Sequence, residues 1–245
     1  NFKKIKIKNN LIYKNILKKN NFDLIINCEK NNLISKKFFY KKIIKNYKST
    51  AFTSIIKHQW CINNKAIQIF TNIGPLAFLP KSNKETSIVY SVNDNNISER
   101  KIRSFIEKYN KNYKIKLFSK FEKFNLKFSV NRNYFYKNIL NFGDSLHSIH
   151  PLAGQGFNMT LRDINFLSDI IENKLNLGLP IDSSIFEEFE LKTKHLNYVF
   201  SFGVDFIYEF FKFTNEKKNT QKIFKIFNKN NLLKKYIIQL ADKGI

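Results

Sequence analysis

One stretch of the chain gathers residue types that bind an anionic or electron-rich ligand. An apolar run ends in Gly143-Asp144, and a Gly-Gln-Gly at residues 154–156 directly precedes a helical pattern. A carboxylate at a strand end can accept hydrogen bonds from ligand hydroxyls, and glycines at a helix start leave backbone N–H groups open. Asp144 could instead only close a turn, but that alternative leaves the glycines and the helix start without a role.

The polar residues near this stretch suggest no metal site. His147 and His150 are three residues apart, but no carboxylate or cysteine completes a ligand set at a suitable spacing. Arg162 is open to two roles, a helix-surface ion pair with Asp163 or Glu172 and a place in an active site.

The elements that must position this stretch change type along the chain. Period-2 apolar patterns predict strands, with Asn63-Asn64 as a hairpin turn, over residues 23–27, 50–58, 66–71, 75–79, 86–92, 124–130 and 138–142. Patterns of period 3.6 predict helices over residues 97–109 (capped by Ser98), 159–174, 184 to about 213, and about 231–240. A capping box is expected to start the third of these helices at Ser184. The predicted fold class is α+β: an antiparallel sheet, then a strand–loop–helix unit, then C-terminal helices.

Composition places the chain among globular proteins and excludes several classes. It has 245 residues, of which 43% are apolar and 16% aromatic, so it can bury a core and is too apolar for a disordered tail. Two cysteines without zinc-ligand spacing exclude a disulfide scaffold and a zinc module. No apolar run reaches the roughly 18–20 residues that a membrane span needs.

The net charge of +24 is spread unevenly along the chain. Residues 1–50 carry +12, whereas residues 141–211, which include the glycine-rich stretch, carry −6. Only four of the 43 basic residues are arginine, the residue that reads bases and phosphates best. A solvated lysine-rich surface is the favoured interpretation, nucleic-acid binding is disfavoured, and a peripheral contact with an anionic membrane stays open.

The glycine-rich stretch resembles a motif of a known flavoprotein family. From Gly143 to Asn158 it is similar to the GD(A/S)xHxxxPxxGQGxN segment of the FAD-dependent aromatic-ring hydroxylases related to p-hydroxybenzoate hydroxylase. The continuation to Arg162-Asp163 and the FTNIGPLAFLP run of residues 70–80 resemble the ubiquinone-biosynthesis branch of that family. The resemblance covers most of residues 20–210.

The resemblance implies that FAD is the cofactor and names eight residues that contact it. Asp144 would bind the ribityl chain beside the turn at Gly143, and Pro151 would lie close to the isoalloxazine ring. His147 would order the loop by hydrogen bonding, and a helix from Met159 would point its positive end at the flavin. The backbone donors along the pyrimidine edge of the flavin would come from Gly154, Gln155, Gly156, Phe157 and Asn158. No catalytic residue is predicted.

The same resemblance implies a hydroxylation reaction. NAD(P)H would reduce the flavin, O₂ would form a flavin hydroperoxide, and its distal oxygen would attack the aromatic ring of a polyprenyl-phenol intermediate of ubiquinone biosynthesis. The flavin hydroperoxide decays in water, so the site needs an apolar wall that excludes water. The sheet of residues 50–92, with Trp60, is the candidate for this wall. FAD, the polyprenyl substrate and other ubiquinone-synthesis proteins are the expected partners, in the cytoplasm or at the membrane periphery.

The resemblance also predicts how the chain is divided and what it lacks. The four predicted parts are the remainder of an FAD-binding domain (1–48), a β-rich substrate domain (49–130), the FAD-binding strand–loop–helix (131–175) and a C-terminal helical region (176–245). The family's GxGxxG is absent, and its Asp-Gly motif appears only as Glu29-Lys30. A C-terminal fragment, which Asn1 in place of Met favours, would explain this. The alternative is an inactive basic module with a degenerate flavin fold that binds an anionic membrane or nucleic acid.

Overall fold

The computed structural model describes residues 22–93, 97–151 and 154–216, and these form two sheets and four helices. The strands are β1 (Ile25–Asn27), β2 (Lys42–His58), β3 (Ile67–Thr71), β4 (Gly74–Ser82), β5 (Glu85–Val92), β6 (Ile115–Phe118), β7 (Glu122–Asn131), β8 (Phe135–Tyr136), β9 (Ile139–Asn141) and β10 (His147–Ser148). The helices are α1 (Leu33–Phe38), α2 (Glu99–Tyr109), α3 (Gln155–Asn176) and α4 (Ser184–Glu216).

The larger sheet is antiparallel and is built around the long strand β2. Its order is β10-β7-β2-β5-β4-β3, and β6 also pairs with β2. Branched and aromatic residues recur along β2 and favour an extended backbone. Lys48 has a positive φ of 51°, and the pairing with β7 shifts register between Asn46 and Ser49. The predicted boundary after residue 48 thus falls at a bulge inside β2, and the division into four parts stays a prediction.

Helix α2 covers one face of this sheet and closes the main core. Its N-cap Ser98 accepts a hydrogen bond from the backbone N–H of Lys101 (3.4 Å), which confirms the predicted cap. Ile102 and Ile106 are fully buried one turn apart and belong to a cluster that also includes Phe52, Ile88 and Tyr90. The apolar side chains that recur along one face of α2 therefore pack in one layer against those that alternate along β2 and β5.

The connection between β2 and β3 corrects two expectations. The two strands do not pair with each other, so Asn63-Asn64 is not a hairpin turn. Instead, the Asn63 side-chain amide donates to the Ser82 carbonyl oxygen (2.7 Å) and the Thr86 hydroxyl (2.9 Å), which ties the connection to the β4–β5 turn. Trp60 lies in this connection with 63% of its surface exposed, so its assignment to an apolar wall was wrong. A two-residue period identifies strands but not their partners.

The smaller sheet contains the strand that leads into Gly143-Asp144. Strand β9 lies between β1, to which it is parallel, and β8, to which it is antiparallel. Helices α3 and α4 pack on it through buried side chains that include Leu140, Ile170, Phe186 and Phe189. This core holds β9 and the start of α3 in one unit.

The two long helices differ in detail from the predicted ones. Helix α3 begins at Gln155, four residues before the predicted start. Helix α4 begins at Ser184 as predicted, but the cap comes from Asp182, whose carboxylate accepts the backbone N–H of Ser184 (3.0 Å). No helix in the described part of the chain is long and apolar enough to cross a membrane. The helix predicted over 231–240 lies outside the described residues.

Candidate functional site

The parallel pair β1 and β9 brings two strand ends to one edge of the smaller sheet. Asn27 pairs with Asn141, the last residues of the two strands, and the backbone N–H of Phe142 donates to the Asn27 carbonyl oxygen (2.9 Å). The chain then turns at Gly143, whose φ of +60° favours glycine. Asp144 follows in this 3₁₀ turn and is exposed. The carboxylate is therefore presented at the strand ends, where the sequence predicts it.

Three buried polar side chains fix the turn that carries Asp144. The Asn27 amide donates to Asn141 Oδ1 (2.8 Å), and the Ser145 hydroxyl donates to the same oxygen (2.6 Å). The Asn141 amide in turn donates to the Ser145 carbonyl oxygen (2.6 Å). Sequence reasoning missed this network because asparagine is abundant throughout the chain. The available signal was the position of Asn27 and Asn141 at the ends of the apolar runs DLII and NIL.

The residues that follow β1 add positive charge beside the carboxylate. Burial lowers the pKa of Lys30, and the negative charge of Asp144 acts in the opposite direction. The pKa of Lys42 is also lowered, first by burial and then by the charge of Lys30. Glu29-Lys30, which follows β1, therefore lies at the same sheet edge as Asp144.

The Gly-Gln-Gly segment forms the first turn of α3. Gly154 is the N-cap, with a left-handed φ of +70°, and a methyl group there would meet no atom within 4 Å. The first four N–H groups of a helix, here those of residues 155–158, have no partner within the helix. Phe157 is 69% exposed and Gly154 has no side chain, so neither residue covers this helix end. The positive N-terminal end of the helix thus lies at Gln155, and the prediction that the helix starts at Met159 was wrong.

The two halves of the site lie next to each other. A methyl group on Gly143 would lie 3.7 Å from Cγ2 of Thr160, which is on the second turn of α3. Pro151, in the loop between the halves, is half-buried. The structure therefore places all eight predicted residues on one strand–turn–loop–helix unit, with a carboxylate on one side and the N-terminus of α3 on the other. This donor set fits a ligand that carries both hydroxyls and an electron-rich edge.

A buried hydrogen bond between His147 and Asp163 fixes the loop between these halves. His147 Nε2 lies 2.8 Å from Asp163 Oδ2, and both side chains are fully buried. The Asn197 amide donates to the same oxygen (3.2 Å), so β10, α3 and α4 are joined at one point. The expected loop-ordering hydrogen bond of His147 is confirmed.

Arg162 is part of the same buried cluster. Its side chain is only 10% exposed, donates to Asn197 Oδ1 and lies 3.7 Å from Asp163 Oδ1. Its guanidinium also lies over the Phe200 ring, 5.7 Å from the centroid. The ion pair with Asp163 is therefore buried, and the surface pairing with Glu172 was wrong.

The second histidine occupies a different environment. His150 stacks on Tyr208 (4.0 Å between ring centroids) and meets the edge of Tyr47 (5.3 Å). Burial lowers its pKa to about 3, opposed by the charge of Asp205. Among the described residues, no group of three or more His, Cys, Asp or Glu could hold a metal ion.

Apolar side chains from several elements meet beside the first turn of α3. The cluster contains Met159, Phe200 and Val204, with Ile149 from the loop and Phe70 from β3 packed against it. Sequence reasoning placed the apolar wall in the sheet of residues 50–92, and of this cluster only Phe70 belongs to that range.

Comparison with protein families gives one matching model, described as "SE: Squalene epoxidase", over residues 53–241. Among curated proteins, 96 residues are 33% identical to "Ubiquinone biosynthesis monooxygenase COQ6, mitochondrial" of Dictyostelium discoideum, covering 39% of this chain and 19% of that protein. A further 67-residue match is 34% identical to "3-demethoxyubiquinol 3-hydroxylase" of Escherichia coli (strain K12), covering 27% and 17%. The chain therefore matches about a fifth of the length of each of these relatives.

Solved structures share the fold at low sequence identity. The p-nitrophenol 4-monooxygenase PnpA from Pseudomonas putida DLL-E4 aligns with a TM-score of 0.70 and 11% identity, over 90% of this chain and 58% of that chain. The probable FAD-dependent monooxygenase pqsL from Pseudomonas aeruginosa aligns with a TM-score of 0.58 and 13% identity, over 80% and 59%. These alignments confirm the predicted fold class.

Proposed function

Since this chain belongs to the squalene epoxidase family, we propose that it is part of an FAD-dependent monooxygenase. The proposed reaction is hydroxylation of the aromatic ring of a polyprenyl-phenol intermediate in ubiquinone biosynthesis, with NAD(P)H and O₂ as co-substrates. Bound FAD would supply the redox and oxygen chemistry. The names of the ubiquinone-biosynthesis relatives support the substrate class, and a cytoplasmic or membrane-peripheral location with other ubiquinone-synthesis proteins as partners is part of the same proposal.

The observation that carries this proposal is the placement of the turn with Asp144 next to the first turns of α3. Asp144 would accept hydrogen bonds from the ribityl hydroxyls, and the N–H groups of residues 155–158 would bind the electron-rich edge of the flavin. Reduced flavin carries negative charge at that edge, so a helix N-terminus stabilises the reduced form. Gly143 and Gly154 supply the positive φ angles that these approaches require.

Other residues of the chain would position this site and exclude water from it. The His147–Asp163 pair holds the loop against α3, so that Pro151 stays between the two halves of the site. The Met159, Phe200 and Val204 cluster borders the first turn of α3 and would exclude water from the reacting atoms.

Flavin retention in an Asp144→Ala variant tests the role of Asp144. In the protein produced from its complete reading frame, this substitution removes the acceptor for the ribityl hydroxyls. We expect flavin affinity to fall at least about tenfold, the equivalent of one strong hydrogen bond. Asp169→Ala is the matched control, because Asp169 is an exposed carboxylate on α3 itself. Equal retention by the two variants would contradict the assignment.

A further inference from the structure

His150 is a buried polar side chain whose hydrogen-bonding groups are unused. It is 1% exposed, and neither Nδ1 nor Nε2 has a hydrogen-bond partner among the described residues. Leaving such groups unpaired is costly, and buried polar side chains are nearly always paired in folded proteins. The two imidazole nitrogens are therefore available to a polar group from outside the described chain.

Two tyrosines hold the imidazole ring in a fixed orientation. Tyr47 comes from β2 and Tyr208 from α4, and their rings lie 4.9 Å apart at a steep angle. The Tyr208 hydroxyl is fixed in turn, since it lies 3.0 Å from the Ser49 hydroxyl and donates to Asn93 Oδ1 (2.8 Å). The aromatic surroundings suit a flat apolar ring, and the polar atoms of this cluster without a hydrogen-bond partner are the two imidazole nitrogens and the Tyr47 hydroxyl.

The position of His150 connects this aromatic cluster with the flavin site. It directly precedes Pro151, and its other neighbour, Ile149, packs against two apolar clusters. One of these contains Tyr47 and Tyr208, and the other contains Met159 of α3. His150 thus lies where the large sheet, α4 and the start of α3 meet.

The charge state of His150 determines whether its ring nitrogens donate or accept hydrogen bonds. Because burial lowers the pKa to about 3, the imidazole is neutral near pH 7. A neutral imidazole offers one N–H donor and one nitrogen acceptor. A hydroxyl can satisfy either of them, whereas a carboxylate can only accept and an ammonium can only donate.

We propose that His150 recognises the ring hydroxyl of a phenolic substrate. The inference rests on the proposed function and adds to it the residue that selects the substrate. The phenol O–H donates to the acceptor nitrogen and keeps its proton, since the buried imidazole resists becoming charged. Drawing the O–H toward nitrogen makes the ring more electron-rich, which favours hydroxylation. Tyr47 and Tyr208 hold the imidazole and act as positioning residues.

A matched pair of small ligands tests this role without measuring turnover. 2-Allylphenol and 2-allylanisole differ only in methylation of the ring oxygen, and their affinities for the full-length protein can be measured by calorimetry. We expect the wild-type protein to bind the phenol roughly tenfold more tightly than the anisole. His150→Phe should bind both ligands equally, and His150→Gln should recover part of the preference. His195→Phe, on an exposed histidine of α4, should keep the full preference.

Nuclear magnetic resonance provides a direct second readout. The imidazole ¹⁵N resonances of His150 should shift on addition of 2-allylphenol and stay unchanged with 2-allylanisole. Equal affinity of the wild-type protein for the two ligands, binding of neither, or a full preference in His150→Phe would overturn the inference. Flavin content, measured on the same samples, separates the two proposals. A preference for the phenol without bound flavin supports the phenol site and contradicts the monooxygenase. Bound flavin without a preference for the phenol supports the monooxygenase and contradicts the phenol site.

Discussion

Removal of the carboxylate of Asp163 should destabilise the fold strongly. His147 Nε2 lies 2.8 Å from Asp163 Oδ2, neither side chain is exposed, and the Asn197 amide donates to the same oxygen. Truncating one partner of a buried pair typically costs about 3–5 kcal/mol, because the other partner is left unpaired. Asp163→Ala should therefore lower the free energy of unfolding by about 4 kcal/mol.

The size of this effect can be read from thermal unfolding. For a chain of this length, about 4 kcal/mol corresponds to a fall in Tm of roughly 8–16 °C, followed by circular dichroism at 222 nm. Asp163→Asn keeps an oxygen that accepts from His147 and should lose less, about 1–2 kcal/mol. Both variants should also retain less flavin, since the loop that carries Pro151 is released.

An exposed carboxylate on the same helix provides the control for this prediction. Asp169→Ala should change the stability by less than about 0.5 kcal/mol. If Asp163→Ala were no less stable than Asp169→Ala, the pair would not fix the loop, and the explanation of how Asp144 and the start of α3 are held together would be refuted.

Three further predictions follow from other contacts. Asn141→Leu should cost about 2–4 kcal/mol, because the Asn27 amide and the Ser145 hydroxyl lose their shared acceptor. In urea unfolding, Asn27→Leu should cost less when it is added to Asn141→Leu than when it is made alone, and an additive loss would contradict the network. Gly74→Ala should cost at least about 2 kcal/mol, because its Cβ would lie 2.0 Å from the Ser91 carbonyl oxygen at a φ of +137°, and an unchanged Tm would refute this contact. The folded-state pKa of His150 is lowered from 6.5 to about 3, so its contribution to stability is fully present above pH 6.5 and is lost as the pH falls toward 3. The difference in unfolding free energy between wild type and His150→Phe should change across this window, and a constant difference would contradict the buried neutral imidazole.

The sequence predicted the local elements well because their signals are local. The alternation in residues 86–92 and the spacing of Ile102 and Ile106 each report one face of one element, and the structure confirms both. The partner of β2 depends on contacts between distant residues, and no turn signal at Asn63 could supply it. The missed strands β6, β8 and β10 are four residues long or shorter, too short to show a period.

The candidate site was predictable where residue types alone carry chemistry. Gly143, Asp144 and the Gly-Gln-Gly segment could be identified from the sequence because few other residues permit such backbone turns or present a carboxylate there. The bond between Asn27 and Asn141 joins residues 114 positions apart, and the abundance of asparagine in the chain hides both residues from sequence analysis. The unused nitrogens of His150 likewise follow from what surrounds the ring, which sequence patterns do not describe.

The visible absorption spectrum of the protein purified from its complete reading frame tests the central claim most directly. If Asp144 and the start of α3 form a flavin site, the protein should retain a yellow chromophore that is released on denaturation as FAD, in about one equivalent per chain. A folded protein that neither retains FAD on purification nor binds added FAD would contradict the account.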